Sequence, residues 1–231
     1  MTDLGGLPSD RLPGGVPTLI VPLGSTEQHG PHLPLDTDTR IAVAVAGAVA
    51  QRLGHLLAPA IPYGSSGEHQ GFPGTISIGT AALTDLLVEY GRSACDWAAR
   101  VAFVNGHGGN VEALRSAVGL LRVEGRDVAW CTPAVSRHAD AHAGHTETSV
   151  LLHLSPDLVR AGEFRPGNTA SLTDLMPQLR AGGMRAVSES GVLGDPPTAT
   201  AAEGERLFAE MVDDCANRVR HWRPRGEGML V

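Results

Sequence analysis

The chain has 231 residues, which is long enough for one α/β domain with a substantial buried core. Its net charge of −7 argues against a general nucleic-acid binder or a protein that binds anionic membranes, so we expect neither partner. All 18 basic residues are arginines, and the lack of lysine excludes Schiff-base chemistry, a Ser–Lys dyad and a Walker-type phosphate loop.

The predicted elements alternate between strands and helices along the chain. Short apolar runs predict strands over 18–23, 56–61, 75–78, 101–104 and Val128–Cys131. Helical periodicity predicts helices over 38–53, 80–98, Val111–Val123, 146–153, 172–180 and 200–222, with Asp36 or Thr37, Thr80 and Thr146 as N-caps. This alternation predicts an α/β fold with a mostly parallel sheet and helices on both of its faces.

The sequence contains no repeat and no linker that would divide it, so we expect a single domain over residues 1–231. The Gly/Pro-rich residues 1–17 and the tail 224–231 are expected to be loosely attached ends. Residues 162–198 are rich in glycine and proline around one helical stretch. A long irregular segment in a compact domain is usually functional or interfacial.

The three cysteines are far apart and show no CxxC spacing, so they cannot form a four-thiolate zinc site alone. An odd number of cysteines suits a reducing compartment, and the N-terminus lacks the pattern of a signal peptide. The longest run of small apolar residues, 41–50, is too short to span a bilayer. We therefore expect buried structural thiols and a cytoplasmic protein.

Three polar segments follow predicted strands, at the points where those strands end. Glu27, His29 and Asp38 follow the first strand, His107 follows strand 101–104, and Glu147 follows strand Val128–Cys131 after a loop. Because parallel strands place ligands at their shared carboxyl edge, we expect these five side chains to converge. Carboxylate and imidazole ligands suit zinc, iron or manganese, and a bound cation would offset the cost of burying charge.

Each of these residues also has a simpler interpretation. His107 could belong to a tight glycine turn, and Glu147 could only complement a helix dipole. For Asp36 we favour a role at the helix start. For Glu68 and His69 we favour a loop, because glycines flank them and a second histidine at zincin spacing is missing.

Other histidines are assigned by their sequence context. His32 is expected to support a ligand because it is close to His29 in sequence. Four further histidines have no partner pattern and are expected to be structural or solvated: His55, His138, His153 and His221.

The polar segments resemble the signature blocks of the creatininase family. These blocks are 27–34 with Asp38, 105–110, and 142–144 with 147–149, and segments 72–75 and 190–196 also match. They occur in the expected order over residues 18–200. The resemblance implies a three-layer αβα fold, a dinuclear metal centre, hydrolysis of C–N amide bonds and a homo-oligomer, a hexamer by the same resemblance.

The resemblance also implies a ligand set. Glu27, Asp38 and His107 would hold one divalent ion, while His29, Asp38 and a second glutamate would hold the other, with Asp38 bridging. The ions could be zinc, iron(II) or manganese, since the oxygen and nitrogen ligands do not distinguish them.

The position of the second glutamate departs from creatininase itself. Creatininase has this glutamate two residues after the histidine that matches His107, where this chain has Gly109. Glu147 is the natural substitute, because other amidohydrolases of the family use the glutamate of the matching segment; Glu112 is a weaker candidate. The departure also argues against creatinine as the substrate.

His142 is the best candidate for the residue that carries a proton to the leaving amine, both by resemblance and because a neutral pKa suits accepting and donating. His145 is an alternative. Together, His142 and Glu147 are the expected catalytic residues.

Within the family, the chain most resembles the mycofactocin-system branch, whose members trim a ribosomally made precursor peptide. The resemblance implies hydrolytic release of a modified C-terminal Val-Tyr-derived dipeptide. A small-molecule amidohydrolase or deformylase with the same centre is the main alternative. A metal-binding module without catalysis is a third hypothesis, and the additional histidines His142 and His145 argue against it.

Overall fold

The computed structural model describes residues 2–12, 15–135 and 140–231, and its described strands form one sheet. The strands are β1 (Thr2–Asp3), β2 (Leu19–Leu23), β3 (Leu56–Leu57), β4 (Val101–Asn105), β5 (Val128–Cys131), β6 (Pro224–Arg225) and β7 (Met229–Leu230). Their order is β1-β3-β2-β4-β5-β7-β6, and every pair is parallel except β6 with β7. The expected mostly parallel sheet is confirmed.

The described residues form six α-helices, five of which cover the two faces of this sheet. They are α1 (Thr37–Leu53), α2 (Thr80–Ala94), α3 (Val111–Val123), α4 (His145–Leu154), α5 (Leu172–Gly182) and α6 (Ala201–His221). Helices α1, α4 and α6 pack on one face, and α2 and α3 pack on the other. The result is the three-layer αβα arrangement that the family resemblance implies.

The side chains of β2 show why both faces must be covered. Leu19, Val21 and Leu23 belong to the core under α2 and α3, whereas Ile20 belongs to the core under α1 and α6. All four side chains are fully buried. Strands that are apolar on both faces are typical of parallel sheets covered on both sides.

Several boundaries differ from the sequence predictions. Segment 75–78 is not a strand: its amides bond to irregular backbone, Ile76 to the Thr26 carbonyl and Ile78 to that of Gly64. Helix α2 ends at Ala94 rather than 98, and its N-cap is Gly79, with Thr80 as the first helical residue.

Helix α4 is also capped differently from our prediction. Thr146 is not its N-cap; the carboxylate of Asp140 accepts the backbone N–H groups of His145 and Thr146 instead. Such acceptors compensate the unpaired amides of a first helical turn.

Residues near both chain ends make contacts with the domain. Val16 is buried and forms a β-bridge with Ala98. At the other end, β7 pairs with β5, and Leu230 is fully buried in the core. The sequence of the tail has no apolar run long enough to predict this strand.

Two of the cysteines are core residues. Cys131 and Cys215 are buried, and their Sγ atoms lie 3.6 Å apart as free thiols. No helix within the described ranges combines the length and the apolarity needed to cross a bilayer.

Candidate metal centre

The carboxyl edge of the sheet brings the five predicted ligands together. Glu27 and His29 lie in the loop after β2, Asp38 lies in the first turn of α1, His107 follows β4, and Glu147 lies in the first turn of α4. Four of these side chains are buried, and that of Glu147 is 23% exposed.

The five residues form two groups that share Asp38. In the first, potential ligand atoms of Glu27, Asp38 and His107 all lie within 4.8 Å of one another. In the second, those of His29, Asp38 and Glu147 do so. Asp38 contributes one oxygen to each side: Oδ1 lies 3.1 Å from His29 Nε2, and Oδ2 lies 3.2 Å from His107 Nδ1.

Two atoms of this cluster show that it fits a cation. Glu27 Oε1 and Asp38 Oδ2 are buried, and neither has a partner with hydrogen-bonding geometry among the described residues. Buried carboxylate oxygens without partners are costly unless a positive charge compensates them. The donor set of carboxylates and imidazoles therefore fits divalent ions such as zinc, iron(II) or manganese.

The pKa values of the five side chains are shifted by burial and by the charges of their neighbours in the cluster. Burial, together with the nearby charge of Asp38, raises the pKa of Glu27 to about 7, and burial raises the pKa of Glu147 to about 7. Burial alone would lower the pKa of His29 and of His107, but the adjacent carboxylates outweigh it and raise both to about 10. The pKa of Asp38 stays well below its ordinary value, because His29 and His107 outweigh its burial.

Local backbone structure orients the ligands. His29 Nδ1–H donates to the Glu27 carbonyl at 3.1 Å, which directs Nε2 toward Asp38. The Ser25 hydroxyl donates to Glu27 Oε2 at 2.8 Å. Such hydrogen bonds from surrounding residues commonly orient metal ligands.

Glu147 is oriented by an unusual backbone conformation. Ala143 has a φ of 50°, which is uncommon for a residue with a side chain, and its N–H donates to Glu147 Oε2 at 2.6 Å. The preceding residue, His142, is fixed by two backbone hydrogen bonds with Leu193, of 3.1 and 2.8 Å. This turn therefore brings both His142 and Glu147 to the cluster, His142 beside Glu27 and Glu147 beside His29.

His142 is buried beside the cluster, and its Nδ1 lies 3.7 Å from Glu27 Oε1. Its ring centroid is 4.4 Å from that of His29 and 4.4 Å from that of His69. Burial, together with the positive charge of His29, holds the pKa of His142 well below its ordinary value. His142 is therefore a neutral imidazole, and with Glu27 and His29 it forms a third group whose potential ligand atoms lie within 4.8 Å of one another.

A cavity of about 400 Å³ opens onto these residues. Its polar side includes Asp38, His107, His142 and Glu147. The apolar part of its lining comes mainly from α5 and the segment after it: Leu172, Met176, Leu179, Met184 and Leu193. Arg180 of α5 also lines the cavity. The irregular segment 162–198 thus contributes to the candidate site.

Three alternative candidates are not part of this cluster. Glu112 is exposed on α3 and belongs to none of the candidate metal groups of the described residues. His145 bonds to the Thr198 hydroxyl at 2.8 Å. His32 is buried and bonds to the Thr148 hydroxyl at 2.9 Å, behind the cluster rather than in it. His138 lies outside the described residues.

Sequence reasoning missed His69. Its backbone is in a short 3₁₀ turn, Gly67–His69, so the loop interpretation holds for the chain path. The side chain, however, is buried in the cavity wall with Nε2 3.4 Å from Glu27 Oε1. Glu68 also lines the cavity, with Oε1 3.7 Å from His107 Nε2. The signal in the sequence was the proximity of this pair to the matching segment 72–75.

Gly109 has no room for a side chain. A Cβ at this position would clash with the Ser65 carbonyl and with His107 Nε2. The backbone of the Ser65 loop occupies the space in which a glutamate at 109 would begin.

Comparisons with known proteins agree with this geometry. The family model for creatininase, creatinine amidohydrolase, matches residues 10–219. The chain is 64% identical to the mycofactocin precursor peptide peptidase of Mycolicibacterium smegmatis, over 99% of this chain and 94% of that protein. It is 31% identical to the creatinine amidohydrolase of Pseudomonas putida, over 93% of each chain.

Solved creatininase structures share the fold. A manganese form superposes with a TM-score of 0.78 at 28% identity, covering 95% of this chain and 98% of the other. A mutant creatininase of Zn–Zn type also gives 0.78 at 28% identity, covering 95% and 97%. From the family model, these relatives and the shared fold, we conclude that the chain belongs to the creatininase family and is a hydrolase that acts on C–N bonds.

Proposed function

We propose that the protein is a metal-dependent peptidase that releases a modified C-terminal Val-Tyr-derived dipeptide from the mycofactocin precursor peptide. The observation that carries the proposal is the pair of carboxylate–imidazole groups that share Asp38 beside an open cavity. Support for the substrate comes from relatives named mycofactocin precursor peptide peptidase, which are 62% to 64% identical over 99% of this chain.

The metal ligands follow from the two groups. Glu27, Asp38 and His107 would hold one divalent ion, and His29, Asp38 and Glu147 would hold the other. When bound, such ions supply a nucleophile at neutral pH by lowering the pKa of water, and they polarise the scissile carbonyl.

His142 is proposed to move the proton that cleavage requires. Hydrolysis adds the water oxygen to the carbonyl carbon and breaks the C–N bond, so one water proton must reach the departing amine nitrogen. His142 Nδ1 lies at the cluster, and a neutral imidazole can accept that proton and then donate it. Glu147 would orient the reacting water on the same side, through its position beside His29.

The cavity favours a peptide end over a small ring amide. Its volume of about 400 Å³ lies in the range of sites for ligands larger than creatinine. The apolar wall from α5 suits the aliphatic and aromatic groups of a Val-Tyr-derived product. A deformylase is the second candidate, because the chain is 34% identical over 74% of its length to a formylaminopyrimidine deformylase of Methanothermobacter marburgensis.

The test is incubation of zinc-, iron(II)- or manganese-loaded protein with the modified precursor peptide, followed by mass spectrometry. We expect a truncated peptide and the released dipeptide-derived product, and neither after chelation of the metal. Creatinine and a formylaminopyrimidine are assayed in parallel. If the formyl substrate is turned over and the peptide is not cleaved, the protein is a deformylase and the proposed peptidase function is wrong. We also propose a homo-oligomer, which light scattering tests.

A further inference from the structure

Gln28 lies between two candidate ligands in the chain, and its side-chain amide has only one possible orientation. The side chain is 5% exposed. Its Oε1 accepts the backbone N–H of Gly30 at 2.9 Å, and its Nε2 donates to the Gly191 carbonyl at 3.0 Å. An amide nitrogen can only donate, so each of the two hydrogen bonds that Nε2 can form must be to an acceptor.

This orientation determines the tautomer of His69. Gln28 Nε2 lies 2.9 Å from His69 Nδ1, so Nδ1 must accept, and the proton of the neutral ring must be on Nε2. That Nε2 is 3.4 Å from Glu27 Oε1, an oxygen with no hydrogen bond of its own. A protonated nitrogen has no lone pair for a metal, so His69 faces the cluster as a donor and not as a ligand.

The number of hydrogens on the Gln28 amide also determines the tautomer of His142. Gln28 Nε2 has two hydrogens, and the Gly191 carbonyl and His69 Nδ1 use both. His142 Nε2 also lies 3.0 Å from Gln28 Nε2, but no hydrogen of the amide is left for that contact, and the nearer partner of His142 Nε2 is the Gln28 backbone carbonyl at 2.8 Å. A carbonyl oxygen can only accept, so His142 Nε2 carries the proton, and Nδ1 keeps its lone pair toward Glu27.

We propose that Gln28 and His69 form a positioning pair beside the catalytic histidine. The Gln28 amide holds the His69 proton on Nε2, where it is donated toward Glu27. The Gln28 carbonyl holds the His142 proton on Nε2 and leaves Nδ1 free to accept a proton. The use of that free Nδ1 rests on the proposed function, whereas the two tautomers do not.

The proposal separates the side chain of Gln28 from its backbone. Replacing the side chain removes the donor to His69 but retains the carbonyl that bonds to His142. In a variant at position 28, the tautomer of His69 should therefore change while that of His142 does not. A residue that only filled space would leave both tautomers as they are.

The test uses zinc-loaded full-length protein with ¹⁵N-labelled histidine, whose nitrogen chemical shifts distinguish protonated from bare ring nitrogens. Wild type should show protonated Nε2 and bare Nδ1 at both His69 and His142, assigned with His69→Gln and His142→Ala. Gln28→Glu and Gln28→Met should both disturb the His69 pattern and retain that of His142. Turnover number should fall about tenfold to a hundredfold, the usual effect of losing an outer hydrogen-bond partner, with little change in KM.

Controls separate charge and ligation from positioning. Gln70 is exposed one residue after His69, so Gln70→Glu makes the same charge change outside the network and should match wild type. His69→Gln retains a side-chain donor and should retain both zinc ions. Loss of zinc in His69→Gln would make His69 a ligand and overturn the proposal, as would a wild-type His142 protonated at Nδ1. If the peptide is not cleaved by wild type, the proposed function fails, while the spectra still decide the tautomers.

Discussion

Asp38 Oδ1 lies 3.1 Å from His29 Nε2, and the second oxygen of the same carboxylate faces His107. One side chain therefore serves both candidate groups. Asp38→Ala should remove both ions, whereas His29→Ala should mainly remove one. Elemental analysis of the purified variants measures this directly, and an unchanged metal content in Asp38→Ala would contradict a shared carboxylate.

Glu147 and Glu112 offer a matched pair of substitutions. Glu147 belongs to the group with His29 and Asp38, whereas Glu112 is exposed on α3. Glu147→Gln should abolish turnover and weaken one metal position, and Glu112→Gln should leave both properties near wild type. Metal titration and peptide turnover are the measurements; the reverse result would mean that the ligand set is wrong at this position.

His142→Ala should separate proton transfer from metal binding. The variant should retain two metal ions per chain and lose about 10²- to 10⁴-fold in kcat, the range for general acid–base catalysis. KM for the peptide should change little, because the other side chains of the cavity remain. Added imidazole should restore part of the rate. Loss of metal would instead mean that His142 is a ligand. A near-normal rate would mean that another group transfers the proton.

The turn at Ala143 should tolerate glycine but not a larger residue. Its φ of 50° is unfavourable for any side chain, and the residue is fully buried. Ala143→Gly relieves this strain but makes the unfolded chain more flexible, so the free energy of unfolding should change by no more than about 1 kcal/mol. Ala143→Val adds branched bulk in the same conformation and should lower both the melting temperature and turnover. Thermal unfolding and peptide assays compare the two variants.

The stability of the metal-free protein should fall as the pH rises above about 7. Below 6.5, the lowered pKa values of His69 and His142 give the opposite trend, because the unfolded chain protonates these histidines and the folded chain does not. Glu27 and Glu147 have folded-state pKa values of about 7, so the folded chain retains protons that the unfolded chain releases from about 4.5 upward. The raised pKa of about 10 for His29 and His107 contributes stability below 6.5 that is lost toward pH 10. The lowered pKa of Asp38 contributes stability that is present above 3.8 and is lost as the pH falls below that value, so it does not change the trend at higher pH.

Metal binding should reverse this trend, because ions compete with protons for the same ligands. The difference in melting temperature between zinc-loaded and chelator-treated protein should therefore widen from pH 5 to pH 8. Asp38→Ala provides the control and should show no difference at either pH. A constant difference in wild type would mean that the cluster does not bind the zinc.

The sequence predicted those parts of the fold and site that depend on local pattern. Apolar runs located β2, β4 and β5, and the carboxyl-edge rule brought Glu27, His107 and Glu147 together, because parallel strands present their following loops on one side. The order of the strands in the sheet required the structure.

Contacts between distant segments could not be predicted in this way. The side chain of His69 contacts Gln28, which is 41 residues away in the chain, and no local pattern in the sequence indicates that contact. The strand at Met229–Leu230 is too short to carry a pattern, and it exists because β5 offers an open edge. Segment 75–78 has strand-like residues, yet its amides are used by loop carbonyls.

Under the proposed ligand set, the packing around Gly109 restricts how one coordinating carboxylate could be exchanged for another. A single mutation to glutamate at 109 would meet the Ser65 carbonyl before its carboxylate could reach an ion. An evolutionary path between the two arrangements must therefore move the loop that contains Ser65 first, or retain both acidic positions in an intermediate with that loop displaced. Engineering of creatininase-like coordination on this scaffold would have to begin with the backbone at residues 64–66, and only then change the ligand.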